Sequence, residues 1–189
     1  MRNKIVILAI LWMGLSHSAK CQLTSGMVYD TNLEIGSEDK EGKPLQAQTN
    51  LCFIYLNINT GDLMFKTDIS TFESEDNYLD SILKKVTSQT IVFKSNISEN
   101  LSRFTRDEND QKMYDMKGVL TINGVDILCV AQFTPMSFGD KNDPKNYRID
   151  LRLYIDANKI NIKGLENIFF NQVLFQIARA RLNIGNITN

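Results

Sequence analysis

The side chains that most often carry catalysis or bind metals are scarce in this sequence. The chain has one histidine, His17, and three cysteines, Cys21, Cys52 and Cys129. His17 and Cys21 lie in an N-terminal segment that we interpret below as a signal peptide, so a mature chain keeps two thiols and no imidazole. Because imidazole is the commonest general acid, base and metal ligand, this composition excludes Ser-His-Asp and Cys-His catalysis and zinc sites rich in His or Cys.

The charged residues show no arrangement typical of an active site either. No two carboxylates have the spacing of a general acid and base, and the candidates are scattered along the chain at Asp30, Glu34, Asp126 and Asp150. Arg179 and Arg181 share one face of a predicted strand and could bind a phosphate, but a solvated strand face is the simpler explanation. We therefore predict a protein that is not an enzyme and uses no cofactor and no metal.

The N-terminal segment "MRNKIVILAILWMGLSHSAKCQ" has the order of a signal peptide: a basic start, a short apolar run and small residues. We assign residues 1–21 to the signal and 22–189 to one domain, which places the mature protein in the periplasm or outside the cell. Acylation of Cys21 is the alternative, although Lys20 is unusual before a lipoprotein cysteine. No further segment is long and apolar enough to cross a membrane.

Loss of the signal peptide would also change the charge balance. Removal of Arg2, Lys4 and Lys20 takes the formal net charge from −1 to about −4. No basic block then remains that could follow a phosphate backbone, so nucleic acid is excluded as a partner.

Short alternating runs dominate the rest of the chain. "KGVLTINGVDILCV" predicts a hairpin, because Asn123-Gly124 accepts positive φ at both turn positions of a type I′ turn. Further strands are predicted at 23–30, 51–58, 63–69, 90–97, 147–155 and 173–184, of which 51–58 is apolar on both faces and is expected to be well covered. Residues 34–44 and the polar stretches 98–111 and 138–146 are predicted to be loops.

One clear helix is predicted at 74–86, with a short helical piece at 165–171. Its apolar stripe contains Tyr78, Leu79, Ile82, Leu83 and Val86, and Ser74 could cap its N-terminus. A plug for one end of a β structure is favoured over a mobile lid. The pattern indicates a mainly β protein: a closed antiparallel barrel of about eight strands with one or two short helices, with a β-sandwich as the alternative.

Three stretches resemble YceI-like proteins. The first, "NINTGDLMFKTDISTFE", is similar to that family's strand, Thr-Gly turn, second strand and Ser-Phe pair. The second, "MKGVLTINGVDILCVAQF", is similar to its Gly-x-Leu-Thr-Ile-x-Gly-Val hairpin. The third, "RIDLRLYIDANKINIKGLENIFFNQVLFQI", is similar to its closing part. The resemblance covers about 50–184. It departs after Phe72, where the family's Phe-Asn-Glu-like stretch and proline are missing. It implies a lipocalin-like barrel, exported to the periplasm, that holds a polyisoprenoid in an apolar channel and has no shared catalytic centre.

An apolar channel requires inward side chains that leave space between them. Strand parity gives the candidate ligand-binding residues Leu63, Phe65, Tyr114, Met116, Leu120, Ile127, Cys129, Ala131, Phe133, Leu151 and Leu153. The flexible Met116 and the small Gly118 and Ala131 favour a cavity. A core in which these residues simply pack on one another is the alternative, and gives a structural or partner-binding barrel without lipid.

The two remaining cysteines could be bridged in an oxidising compartment. Cys129 shares parity with Ile127 and Phe133 and is expected to be buried, and Cys52 lies in the doubly apolar strand. Since nothing in the pattern places these strands side by side, two free thiols are favoured.

Overall fold

The computed structural model describes residues 25–86, 89–99, 112–138, 146–160, 162, 165 and 168–183. The predicted signal peptide and most of the two polar loops lie outside these residues. The elements are β1 (Ser25–Glu38), β2 (Pro44–Asn57), β3 (Asp62–Asp68), α1 (Asn77–Lys85), β4 (Thr90–Asn96), β5 (Tyr114–Ile122), β6 (Val125–Phe138), β7 (Asn146–Asp156) and β8 (Phe170–Asn183), with short 3₁₀ turns at Ile69–Thr71 and Ala157–Lys159.

The eight strands form one closed antiparallel barrel. Each strand pairs with the next along the chain, and β8 closes the barrel by pairing with β1. Closure leaves no sheet edge running the length of the barrel, which is how such folds avoid edge-to-edge aggregation. The predicted fold class is confirmed, and the chain is not a β-sandwich.

Alternation sets which side chains face inward. In β7, Ile149, Leu151, Leu153 and Ile155 are buried, and the residues between them lie on the outer face, as predicted. The parity changes at a bulge in β8, where two residues oppose Asp150 of β7. Arg179 adopts φ +60° there and donates its backbone N–H to the Asp150 carboxylate. The bulge lets Ala180 return to the interior after Ile177.

Several predicted strand boundaries are wrong because outward polar residues within long strands resemble loop residues in sequence. The predicted loop 34–44 is strand at both ends: β1 runs to Glu38, β2 begins at Pro44, and the turn contains only 39–43. Outward polar residues alternate there with buried Leu33, Ile35 and Leu45. At the other end of the chain, residues 170 and 171, predicted to be helical, begin β8.

The apolar strand 51–58 is not covered on both faces. Cys52, Ile54 and Leu56 are buried, whereas Leu51 is 55% exposed. Leu51 lies in a bulge of β2, between the residues that pair with Thr31 and Leu33, and the bulge turns its side chain outward.

The hairpin turn has the predicted backbone. Asn123 has φ 51° and Gly124 has φ 78°, so both central residues of the β5–β6 turn are in the positive-φ region that type I′ requires. The two strands keep continuous register from Ile122↔Val125 to Tyr114↔Phe133.

Helix α1 covers one end of the barrel, which we call the helix end. Leu79 and Leu83 of α1 are buried, and Val86, at its C-terminal cap, is also buried. Tyr78, predicted to be on the same stripe, is instead 68% exposed. The helix begins later than predicted: Asp76 caps it, accepting from the N–H groups of residues 78 and 79, each at 3.0 Å.

Ser74, the predicted cap, has a different role. Its hydroxyl donates to the carbonyl of Gln46 at 2.6 Å and ties the helix segment to β2. The helix thus lies at one end of the barrel, and the preference for a plug over a mobile lid stays a prediction. No helix among the described residues is long and apolar enough to cross a membrane.

Candidate functional site

The barrel interior brings the predicted ligand-binding residues together. Nine of them are at most 6% exposed: Leu63, Phe65, Met116, Leu120, Ile127, Ala131, Phe133, Leu151 and Leu153. Antiparallel register sets their neighbours, since Met116 pairs with Ala131, and Ala131 pairs in turn with Leu153. Tyr114 and Cys129 are only partly buried.

Cys129 was expected to be buried, but it is only partly buried. The pairing of β6 with β7 begins only at Ala131, so the strand segment that carries Cys129 has a ladder partner on its β5 side alone. The thiol lies 3.6 Å from the carbonyl of Gly118 and is half-buried.

The list of candidates missed most of the interior. Strands β1, β2, β4 and β8 contribute inward residues that were not among the candidates, including Leu33, Ile54, Leu56, Ile91, Phe93, Val173, Phe175 and Ile177. The same two-residue period is visible in "TIVFKSN" and "FNQVLFQI", and applying it to every strand identifies them.

The interior is filled in the region where small residues predicted space. The rings of Phe65 and Phe93 stack with centroids 5.4 Å apart. A Cβ placed on Gly118 would lie 2.5 Å from Cε2 of Phe93, so this ring already occupies the volume that the glycine leaves. Ala131 is 0% exposed and adjoins no solvent-sized space.

The interior of the described part is apolar and carries no charge. Its buried polar residues are Thr31, Thr49 and Thr67, with no buried Asp, Glu, Lys or Arg. The Thr49 hydroxyl accepts from the N–H of Leu51 at 3.1 Å and lies 2.8 Å from the hydroxyl of Thr71. Thr67 donates to the Leu51 carbonyl at 3.1 Å. The hydroxyls of Thr49 and Thr67 thus hydrogen-bond the backbone groups of Leu51 in the β2 bulge, and the rest of the interior surface is apolar.

The two cysteines are free thiols, as predicted. Cys52 lies on β2 and Cys129 on β6, with three strands between them in the barrel order. Burial raises the pKa of the Cys52 thiol to about 12, and partial burial raises the pKa of Cys129. Neither thiol is therefore set up as a thiolate nucleophile or metal ligand, and no group of three or more metal-ligating residues occurs in the described part.

The two arginines of β8 face away from the interior. Arg179 and Arg181 are exposed, and Arg181 stands opposite Arg148 of β7. The simpler interpretation, a solvated strand face, agrees with this placement.

A surface groove lies outside the barrel wall, near the helix end. It has a volume of about 550 Å³ and runs over β1, β2 and β8 beside the segment before α1. Its lining includes Glu34, Gln46, Gln48, Glu73 and Glu75. Carboxylates and amides do not suit an apolar chain, so the groove is not the lipid site that the resemblance implies.

Comparisons with known proteins agree with the barrel. No known family profile and no curated protein matches the sequence. The fold is similar to the structure of a polyisoprenoid-binding domain from Saccharophagus degradans implicated in plant cell wall breakdown, with a TM-score of 0.68 and 11% identity over 85% of this chain and 99% of that one. It is also similar to BcnA of Burkholderia cenocepacia, with a TM-score of 0.53 and 16% identity over 80% and 94%.

At this level of identity the likeness is one of fold. The match spans 99% and 94% of the two solved chains, so it concerns the domain as a whole and not a local motif. The lipocalin-like fold that the YceI-like resemblance predicted is therefore confirmed, and the barrel is similar in fold to that of the polyisoprenoid-binding domain.

Proposed function

We propose that the protein is an exported, non-enzymatic binding protein that holds a long apolar lipid, a polyisoprenoid, inside the barrel. The observation that carries the proposal is the match to 99% of a polyisoprenoid-binding domain at a TM-score of 0.68. The uncharged interior supports it, because an apolar chain needs no polar partner and a charged lining would oppose its burial.

Binding requires the interior side chains to move. An eight-stranded barrel has room for side chains that just fill it or for one small ligand, and here side chains occupy the region around Phe65, Phe93 and Gly118. Met116 and Leu120 of β5 and Leu151 of β7 have unbranched or γ-branched side chains, whose rotamers can change without moving the backbone. We propose that the lipid displaces these side chains.

The filled interior also favours a second candidate function. A barrel with a solid core would be a structural or partner-binding protein without lipid, and the 0% exposure of Ala131, Phe133 and Leu153 supports this alternative.

Extraction of the purified protein with organic solvent, followed by mass spectrometry, separates the two candidates. The parent is expected to release a polyisoprenoid. Ala131→Trp places an indole in the interior and is expected to copurify with less lipid, whereas Gln132→Trp, the outward neighbour on β6, keeps the parent's lipid content. A parent without lipid, combined with a strongly destabilised Ala131→Trp, would favour the solid barrel.

The proposed absence of catalysis has its own test. The mature chain has no imidazole, and both thiols have raised pKa values. We expect no turnover above background on ester, peptide or phosphate substrates. An activity abolished by changing one polar residue would contradict this part of the proposal.

Export follows from residues 1–21 alone and is tested separately. N-terminal sequencing of the protein from its native host is expected to begin at or near Gln22. A diacylglyceryl mass on Cys21 would indicate a lipoprotein, and an intact Met1 in the cytoplasm would contradict export.

A further inference from the structure

The three buried threonines of the barrel interior do not share one role. Two of them hydrogen-bond the bulge of β2: the Thr49 hydroxyl accepts from the N–H of Leu51, and the Thr67 hydroxyl donates to the Leu51 carbonyl. Each of these two hydroxyls therefore has a structural partner in the backbone. The third threonine, Thr31 of β1, contributes nothing to this bulge.

Thr31 carries a buried hydroxyl without a hydrogen-bond partner. The residue is 5% exposed, and no described residue lies within hydrogen-bond distance of its hydroxyl. Burying a hydroxyl without a hydrogen bond is unfavourable, whereas valine has nearly the same shape and avoids this penalty. The unused hydroxyl therefore marks a position in the interior where a polar group from outside the chain could be bound.

The register shows that Thr31 points into the barrel. Thr31 pairs with Cys52 of β2, and Cys52 is 0% exposed. Paired residues of neighbouring strands point to the same side of a sheet. Leu33, two residues further along β1, is also 0% exposed, so Thr31 lies on the inner face between apolar neighbours.

The barrel wall is irregular at this position. The pairing of β1 with β2 shifts register on both sides of Thr31, between Val28 and Thr31 and again between Thr31 and Leu33. On the other side of β1, the described pairing with β8 extends no further than Leu33↔Ile177. Irregular pairing of this kind redirects a side chain and occurs often beside binding sites.

The surroundings of Thr31 restrict the chemistry of a ligand group that could reach it. A hydroxyl both donates and accepts hydrogen bonds, so it matches an alcohol or a carbonyl oxygen. A phosphate would lose its hydration without a counter-ion, because the described interior has no buried lysine or arginine. A pure hydrocarbon would leave the hydroxyl unpaired.

We propose that Thr31 binds the polar end of the lipid and that this end is uncharged, with a hydroxyl or a carbonyl oxygen. The apolar chain of the ligand then lies against the apolar remainder of the interior. The inference rests on the proposed function and adds to it the chemical class of the ligand's polar end and the side chain that selects it.

The test compares three lipids of one chain length: geranylgeraniol, geranylgeranyl diphosphate and the hydrocarbon phytane. Their affinities for the delipidated chain are measured by displacement of the apolar fluorescent probe N-phenyl-1-naphthylamine. The ratio of variant to parent is taken for each lipid, so that differences in water solubility cancel. Thr31→Val is expected to weaken binding of the alcohol by about two- to tenfold, the loss of one neutral hydrogen bond, and to leave binding of phytane unchanged.

Two further threonine variants serve as controls. Thr134→Val makes the same change on the outer face of β6, opposite Asp150, and is expected to bind every lipid like the parent. Thr67→Val removes the partner of the Leu51 carbonyl and is expected to lower the melting temperature. Thr31→Val is instead expected to melt at or above the temperature of the parent, because its hydroxyl has no partner to lose.

The outcomes separate this inference from the proposed function. A parent that binds the alcohol and phytane, with a Thr31→Val that weakens both equally or neither, would overturn the role of Thr31 and leave lipid binding intact. A lower melting temperature of Thr31→Val would assign its hydroxyl a structural role and overturn the inference too. Tighter binding of the diphosphate than of the alcohol to the parent would refute an uncharged polar end. A parent that binds none of the three lipids would overturn the proposed function and this inference with it.

Discussion

A single methyl group added at position 118 tests whether the interior is filled. Gly118 lies on β5 and has an ordinary strand conformation, so no backbone strain opposes alanine there. A Cβ would lie 2.5 Å and 2.6 Å from two ring carbons of Phe93 and 2.8 Å from the carbonyl oxygen of Lys94. Carbon atoms in favourable contact are about 3.5–4.0 Å apart, so the ring must retreat by about 1 Å.

The expected loss in the free energy of unfolding of Gly118→Ala is the difference between two opposing effects. Phe93 stacks on Phe65 and is 0% exposed, so it can retreat only by displacing other core side chains. Such overpacking costs about 1–3 kcal/mol. Replacing glycine by alanine also restricts the unfolded chain and returns about 0.4–1 kcal/mol. We expect Gly118→Ala to lower the free energy of unfolding by about 1–2 kcal/mol, which lowers the melting temperature of a chain of this size by about 2–8 °C.

The matched control is Gly36→Ala on β1. Gly36 is also a strand glycine, and its Cβ would meet no atom within 4 Å. Thermal and denaturant unfolding of both variants, with unchanged m-values, should show Gly36→Ala at or slightly above the parent and Gly118→Ala below it. A Phe93→Leu change should recover part of the loss in a double-mutant cycle. If Gly118→Ala unfolds like Gly36→Ala, Phe93 has space to move and the filled interior is refuted.

Three further predictions rest on single contacts. Gly61→Ala should destabilise much more than Gly124→Ala, because both glycines have φ +78° but a Cβ on Gly61 would lie 2.3 Å from the backbone N of Ser98, while Gly124 has open space; equal losses in denaturant unfolding would contradict this. In the native protein Cys129 should react with a thiol reagent well before Cys52, because burial raises the pKa of Cys52 to about 12. Since the pKa of Cys52 is raised from 9.0, the stability that its buried thiol contributes is present below pH 9 and declines above it. Cys52→Ala should lack this part of the loss of stability at alkaline pH. Asp76→Ala should lower the melting temperature at neutral pH, because it removes the N-terminal cap of α1 and the 2.7 Å ion pair with Lys43. The hydrogen bond with Lys43 lowers the pKa of Asp76, so the difference in melting temperature from the parent should shrink as the pH falls below about 4. A difference that does not change with pH would argue against the charged contact.

Local pattern was sufficient to predict the strands and the class of fold. Two-residue alternation in β7 and the Asn123-Gly124 turn depend only on residues near one another in sequence, and both appear as predicted. At the end of β1 and the start of β2 polar residues alternate with apolar ones with the same period, yet their polar character predicts a loop. These boundary errors arise because a polar outward residue and a loop residue look alike without the partner strand.

Contacts between distant segments determine the features of the fold that a local sequence pattern cannot show. Closure through β1 and β8, the bulges that turn Leu51 outward and return Ala180 inward, and the end of β6–β7 pairing at Ala131 all depend on register between distant segments. Tertiary pairing likewise leaves Leu128 of β6 exposed.

The sequence by itself determined that His17 is the only histidine and that alternate residues of the strands are apolar, because both are properties of residue type and spacing. Only the tertiary structure decided whether those apolar residues leave space. Gly118 and Ala131 indicated a cavity when considered as small residues, but the volume beside a glycine belongs to whichever side chain the neighbouring strand directs into it, and β4 directs Phe93 there. Filling is a property of packing between strands, which sequence spacing does not specify.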